Sequence, residues 1–281
     1  VKDTEALDQR TADAFATSWN NLPEGSVYSF EQFEEWFAPI TAKDVEGRSV
    51  LELGCGGGNL LVHMVRWAPA RITGVDLGAS VGMAERNMER AASTVHRIVK
   101  HDLTTFTGTE GYDLAYCIGV LHHLKEPGVG FDAVLRNTRA GGRFHCWVYA
   151  HEGNAVIRWI VDPIRRFASL LPWWATKYFI ATPLVVPYFF YAKTLDALRW
   201  PVLRRLPLYE YSLWIAKRGY TFFRHVAFDQ LVTPQTAYIH ESTVKSWLND
   251  ERVDPSSTYI IFRNGNSWKF GGLRRSATNP V

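Results

Sequence analysis

Sulfur is scarce in this sequence: three cysteines and three methionines in 281 residues. Cys55, Cys117 and Cys146 are too few and too scattered for a disulfide framework or a cysteine-based zinc site. The chain starts Val1-Lys2-Asp3-Thr4-Glu5, polar and charged, without the apolar run of a secretory leader. Together these absences lead to the expectation of a reducing, cytoplasmic setting. No apolar stretch is long enough to cross a bilayer. Phe179 to Ala192 is nearly all apolar, but it is fourteen residues long and is broken by Pro183 and Pro187. A spanning helix needs about twenty. A large excess of one charge is also missing, since the formal net charge is +3. Internal repeats and low-complexity tracts are absent too. With 47% hydrophobic and 21% charged residues, the composition excludes a disordered chain. The length suits one large α/β domain with an insertion, or two small domains.

The charge is unevenly placed. Between Ala155 and Phe228 there are eleven Lys or Arg and three acids, an excess of eight, so the remainder carries about −5. The same 74 residues hold eighteen of the thirty-nine aromatic residues. A composition boundary near residue 150 follows. It separates an N-terminal helical part (1–45), a sheet domain (46–150 and 241–281) and a helical, aromatic and basic insertion (151–240).

Ahead of the boundary, apolar runs and helical patterns alternate. Residues 3–18 are helix-compatible, and Ser29 to Trp36 follows a Ser-x-x-Gln capping pattern with Phe30, Phe33 and Phe37 at helical spacing. Strands are predicted at 49–53, 71–75, 96–99, 114–118 and 143–149. Helices are predicted at 59–66, 81–92 and 131–139, with a turn at Gly141-Gly142. Beyond the insertion, 242–248 reads as helix, and 258–263, Asn264-Gly265 and 267–273 read as a hairpin. This order implies an α/β fold: a doubly wound, Rossmann-like seven-stranded sheet of five parallel strands plus a C-terminal antiparallel hairpin, with a helical lid inserted.

The first strand ends Val50-Leu51-Glu52-Leu53 and runs into Gly54-Cys55-Gly56-Gly57-Gly58-Asn59. The second ends at Asp76, twenty-two residues past Gly54. A glycine turn lets backbone approach a cofactor, and an ionised carboxylate accepts from both hydroxyls of a ribose diol. A nicotinamide site would want a third glycine where Asn59 stands. The ordered motifs resemble instead the class I S-adenosylmethionine-dependent methyltransferases. They are Val50 to Gly58, Gly74-Val75-Asp76-Leu77, His101-Asp102-Leu103, and Tyr112-Asp113 through Val120-Leu121-His122-His123-Leu124. The resemblance is strong over about residues 45–150. It implies S-adenosylmethionine as cofactor, with the glycine loop along its methionine part and Asp76 on the ribose. Asp102 would accept from the adenine amino group, and Leu77 and Leu103 would sandwich the ring. Glu52, Gly54, Cys55, Gly56, Asn59, Cys117, Ile118, Gly119, His122 and His123 complete the expected cofactor positions. Trp19 and Tyr28 would close over them. Read alone, Asp102 could equally cap a helix before Thr104 and Thr105, and Cys117 could be a buried strand-end residue.

Acceptor candidates lie at the carboxyl edge of the expected sheet. A related subset of these methyltransferases has a Tyr-x-x-Glu-Gly-Asn segment, a long insertion and then Phe-Asp-x-Leu-x-x-Pro. This chain has Tyr149 to Asn154 and Phe228 to Pro234. The expected catalytic positions are His122, His151, Asp229 and His240, and the acceptor-binding positions are His123, His151, Asn154 and Tyr238. Asn154 and Asp229 could also simply cap helices. No metal is expected. The acceptor would be small or lipid-like and amphipathic, and the basic pairs Arg165-Arg166, Arg204-Arg205 and Lys217-Arg218 suit an anionic one. Oxygen is expected as the methylated atom ahead of nitrogen or carbon. A nucleic-acid acceptor is disfavoured by the small net charge and by the absence of an Asn/Asp-Pro-Pro-Tyr/Phe signature. A cofactor-binding protein without transfer activity is the non-enzymatic alternative. For the insertion, a lid over an apolar pocket, a homodimer interface and a peripheral membrane-surface patch all remain open.

Overall fold

The computed structural model describes residues 2–20 and 28–276, with side chains described over 8–17 and 28–276. Seven strands form one sheet: β1 (Ser49–Leu53), β2 (Arg71–Asp76), β3 (His96–Lys100), β4 (Tyr112–Ile118), β5 (Thr138–Tyr149), β6 (Tyr259–Arg263) and β7 (Ser267–Leu273). Their order is β3-β2-β1-β4-β5-β7-β6. The first five pair in parallel, and β7 runs antiparallel to both β5 and β6. The expected seven-stranded, doubly wound sheet is present. The order reverses beside β1, where β2 and β4 flank it, and crevices at such reversals are where open α/β sheets hold ligands.

Burial explains the register. β1 is covered on both faces, so Val50 to Leu53 are all buried instead of alternating, the acidic Glu52 among them. Leu51 and Leu53 point into one core, with Phe131, Phe144, Val244 and Phe270. Val50 points into the other, with Phe33, Phe37, Met64, Ile72 and Tyr116. Helices α1 (Lys2–Asn20) and α2 (Phe30–Phe37) precede the sheet. The capping box at α2 forms as expected, Ser29 and Gln32 exchanging side-chain-to-backbone bonds of 3.2 and 2.7 Å. Helices α3 (Leu61–Met64), α4 (Val81–Arg90) and α5 (Pro127–Asn137) connect the parallel strands.

Three boundaries differ from the sequence expectation. The helix expected from residue 59 begins at Leu61, after the glycine loop has taken its last turn. Helix α5 starts at Pro127, four residues early, because proline suits a first turn and the weak formers Gly128 and Gly130 are held by packing. A Cβ on Gly130 would lie 2.4 Å from Leu124 Cδ1. Gly141-Gly142 is no separate turn. It sits inside β5, where pairing jumps from Tyr112–Thr138 to Leu114–Arg143 and leaves an irregularity.

After β5 the chain enters a helical segment. A wide-turned stretch (Ile157–Val161) leads into α6 (Asp162–Ala168); α7 (Trp173–Ala175) and a second wide-turned stretch (Thr176–Ala181) lead into α8 (Thr182–Leu198). Helices α9 (Tyr209–Ala216) and α10 (Tyr220–Val232) follow. The chain then returns to the sheet through a bridge between Ala150 and Ile239, ahead of α11 (Glu241–Leu248). No helix of the described residues is long and apolar enough to cross a membrane.

Two polar clusters fasten this segment to the sheet. Arg165, buried, donates to Gln230 O (2.6 Å) and to Tyr238 Oη (3.3 Å), and pairs with Asp162 at 2.7 Å. Gln230 in turn donates to Tyr149 Oη on β5 at 2.9 Å. On the other side, Glu35 of α2 receives Arg263 of β6 (2.8 Å) and the Trp214 indole of α9 (3.2 Å). Removing one member of a buried charge pair strands the other, at roughly 3–5 kcal/mol. Arg165→Ala should therefore lower stability by about 3 kcal/mol in chemical denaturation and speed limited proteolysis within residues 155–235. Unchanged cleavage there would show that the cluster does not fasten the segment.

Candidate active site

A single cavity of about 650 Å³ runs from the carboxyl ends of β1, β2 and β4 to the underside of the helical segment. One end is built by the sheet. Leaving β1, the chain turns through Gly54 (φ +84°) and Gly56 (φ +51°), left-handed values that favour glycine. Space forbids a side chain at the first of them, since a Cβ there would sit 2.5 Å from Val120 Cγ2. Glu52, Cys55, Asn59, Asp76, Leu77, Asp102, Leu103, Ile118 and Gly119 all line this end, as does Tyr28. The sequence expectation placed each of these positions at the cofactor. Trp19 lies outside the residues whose side chains are described.

The three carboxylates differ in what they already hold. Asp76 Oδ2 accepts from Gly56 N–H (2.9 Å), and its Oδ1 accepts from Gly78 N–H (2.8 Å) and Ser80 Oγ (3.2 Å). These bonds fix the carboxylate against the glycine loop and leave lone pairs on Oδ2. Asp102 Oδ1 closes a turn with Thr104 N–H and Oγ1, both at 2.8 Å. Its Oδ2 has no hydrogen bond among the described residues. The capping and ligand readings of Asp102 are thus compatible, one for each oxygen.

Glu52 is buried and accepts from Tyr116 Oη at 3.0 Å. Burial first, and then the Asp76 charge, push its carboxyl up to about 8 against the opposing pull of the Tyr116 bond. A buried carboxylate with one neutral partner is a site for a cation. The α-ammonium of an amino-acid moiety would fit it, as the backbone-lined glycine loop and the open Asp102 oxygen fit the rest of a nucleoside sulfonium. On that donor set the residues present suit S-adenosylmethionine.

The other end is apolar and aromatic. Trp36, Trp147, Tyr149, Tyr188, Tyr211 and Phe223 form walls, and His225, Asp229, Gln230 and Tyr238 supply most of the polar atoms. On α10, His225 and Asp229 stand one turn apart with Nε2 and Oδ2 at 3.1 Å. His225 belongs to none of the motifs legible in the sequence. Its position four residues before Asp229 was the available signal, since i and i+4 share a helix face.

The histidines expected to be catalytic are arranged otherwise. His122 is buried and does not line the cavity. Its Nδ1 accepts from Tyr149 N–H at 3.4 Å, so Nε2 carries the hydrogen and has no acceptor among the described residues. Burial holds its pKa well below the ordinary range. His123 does line the cavity: its Nδ1 faces the Gln235 carbonyl at 3.0 Å, which leaves the lone pair on Nε2, and burial lowers its pKa to about 4. His151 and His240 stack on each other, centroids 3.7 Å apart, outside the lining. With Glu152 they form a group whose ligating atoms lie within 4.8 Å. Glu152 is already bonded to the Trp268 indole (3.1 Å) and Glu241 N–H (3.2 Å).

Asn154 reaches the lining, but its amide donates to Ala150 O (2.7 Å) and Asn266 O (2.6 Å), the scaffold role considered for it. Tyr238 lines the cavity and donates to Asp162 at 3.0 Å. Cys117 is fully buried and off the lining, and burial raises its thiol pKa, so it is the buried strand residue and not a pocket residue.

Glu52 makes stability depend on pH. Its carboxyl loses the proton near 4.3 when unfolded but near 8 when folded. Between those values unfolding releases a proton, so stability of the ligand-free chain falls as pH rises from about 4 to about 8 and then levels off. Glu52→Gln should remove that decline and raise the melting temperature near pH 8 while changing it little near pH 5. Parallel melting-temperature curves for the two proteins would contradict the assignment.

A family model described as a methyltransferase domain matches residues 28–198, more than half of the chain. An uncharacterized Synechococcus protein is 32% identical over 121 residues, 41% of this chain and 28% of that protein. A ubiquinone biosynthesis O-methyltransferase from Aeromonas salmonicida is 28% identical over 139 residues, 47% of this chain and 56% of its own length. The chain therefore spans about half, or less, of these curated relatives. Magnesium protoporphyrin IX methyltransferase from Synechocystis PCC 6803, solved with bound SAH, superposes with a TM-score of 0.56 at 15% identity. That superposition covers 97% of this chain and 99% of the other, and at this identity it shows a shared fold. With sheet order, ordered motifs and family match in agreement, the chain belongs to the class I S-adenosylmethionine-dependent methyltransferases.

Proposed function

We propose that the protein moves the methyl group of S-adenosylmethionine to an oxygen of a small or amphipathic, largely apolar acceptor held under the helical segment. The observation that carries this reading is the continuity of one cavity from the glycine loop to the His225–Asp229 pair. Its volume of about 650 Å³ lies within the usual range for ligand pockets. When bound, the cofactor supplies an electrophilic methyl carbon. Glu52 would hold its ammonium group, Asp76 its ribose and Asp102 its adenine amino group.

The rest is geometry and one proton. Holding two reactants in line accounts for roughly 7–11 kcal/mol of a barrier, and the aromatic walls supply that orientation. The methyl–sulfur bond would break as the C–O bond forms, leaving neutral S-adenosylhomocysteine, and the acceptor hydroxyl would give up its proton. His225 takes it, and the Asp229 carboxylate, 3.1 Å from Nε2, stabilises the charge the ring gains. Methylation at oxygen is supported by the O-methyltransferase among the relatives, within the limits of its partial coverage. The apolar lining supports an acceptor with a hydrocarbon body and few polar groups.

Asp76→Ala should weaken S-adenosylmethionine binding more than about tenfold in titration calorimetry, because two hydroxyls lose a charged acceptor. An unchanged dissociation constant would remove Asp76 from the site. Turnover is read as release of S-adenosylhomocysteine across a panel of apolar phenols and long-chain alcohols. His225→Ala should lower kcat about a hundredfold or more on an active acceptor while leaving cofactor affinity near normal. Equal kcat in the two proteins would remove the base. Cofactor binding without turnover on any acceptor would favour the non-enzymatic reading.

A further inference from the structure

The outside of the helical segment is as apolar as its inside. Along the chain leading through α6, the exposed positions are Trp159, Ile160, Pro163, Arg166, Phe167 and Leu170. Their spacing of 1, 4, 7, 8 and 11 residues from the first traces one face of a helix. A surface helix normally turns charge to water on that face; here Trp159 is 78% exposed, Phe167 64% and Leu170 71%. In the first half of α8 the exposed positions, Pro183, Leu184, Val186, Pro187 and Phe190, make a second apolar face, followed by the exposed Lys193 and Thr194.

The two faces meet at the cavity. Among the described residues, the lining positions that are exposed are Ile160, Leu184 and Pro187, one from the first helical run and two from α8. The chamber therefore opens between the two apolar faces. Basic residues are exposed in the same segment, Arg166 on the first face itself. Two of the three acids between 155 and 228 are consumed within the segment, Asp162 by Arg165 and Asp196 by Arg199. Arg166, Arg204, Arg205 and Lys217 are exposed and have no ion-pair partner among the described residues.

We propose that this outer face seats on an anionic lipid bilayer, with the apolar side chains in the interfacial layer and the chamber mouth turned toward the lipid. The occupant follows from chemistry. Aromatic and aliphatic residues carrying unpaired cations match a surface that offers hydrocarbon and negative charge together. The segment would lie on the bilayer and not cross it, since no described helix is long and apolar enough to do so. Joined to the proposed reaction, on which this one clause rests, the arrangement lets an apolar acceptor reach the chamber from the lipid without passing through water.

The test is cosedimentation of the full chain with phosphatidylcholine vesicles, with and without phosphatidylglycerol, over a range of salt. Binding should be at least about tenfold tighter to the anionic vesicles and should weaken with salt. Trp159→Ser combined with Phe167→Ser and Leu170→Ser should weaken it more than about tenfold. Arg204→Glu with Arg205→Glu should abolish the anionic preference. None of these five residues lines the cavity, so cofactor affinity by calorimetry should stay unchanged and confirms folding. No binding to either vesicle, or equal binding by native and both variant chains, overturns the proposal. So does light scattering that shows a dimer which the triple variant converts to monomer, because the face then belongs to a second copy. Vesicle binding is read without turnover, so an inactive chain that still seats on lipid would sink the proposed reaction and leave this one standing.

Discussion

Parallel pairing of β1 with β2 on one side and β4 on the other brings three loop starts to one edge of the sheet. Everything at the site depends on that constraint. Glu52, Asp76 and the Ile118-Gly119 turn are far apart in sequence. They become neighbours because parallel strands all end on the same side, and because the order reverses beside β1 and leaves a crevice between the departing chains. The Gly56–Asp76 hydrogen bond across that crevice then ties the first loop to the second. Backbone N–H groups of Gly56 and Gly78 hold the Asp76 carboxylate in position, and they cannot rotate away as a side chain could.

The sheet makes half of a site, and the helical segment makes the other half. Its attachment is polar at two clusters, Arg165 with Asp162, Gln230 and Tyr238, and Glu35 with Arg263 and Trp214. Between them lies an aromatic interior that encloses space. Buried ionic clusters contribute little net stability beside an apolar replacement, but they specify a geometry. Here the cavity lies between Trp147 and Tyr149 of β5 and the residues of α9 and α10 that face it, Tyr211, Trp214, His225 and Asp229. An all-apolar seam could have closed by collapse.

The same physics explains Glu52. A carboxyl kept neutral to about pH 8 by burial is a defect in a folded protein without ligand. It makes sense as half of an ion pair whose cation arrives with the cofactor. Stability and binding then oppose each other at a single residue, as is common where a site is organised before its ligand arrives.

Much of this was legible in the chain. The strand-glycine loop, Asp76 and Asp102 announced the cofactor end because their spacing is dictated by backbone geometry that short local segments determine. The hairpin was legible because Asn264 and Gly265 both take positive φ, which few other residues tolerate. The start of α5 and the two glycines within β5 were misread because long-range packing overrode weak local preferences. The histidines that fall outside the cavity lining have a common cause as well. His122, His151 and His240 sit at the carboxyl edge of the sheet, but which way each ring points depends in part on residues far along the chain, Trp147 and Tyr149 for His122 and the His151–His240 stack for the other two. His225 escaped notice because nothing near it in sequence shows that α10 faces a cavity. Fold and cofactor class are readable along the chain, since they follow from periodicity and backbone turns. Which side chains share the chamber is not, because that depends on contacts between segments whose separation along the chain carries no record of their distance in space.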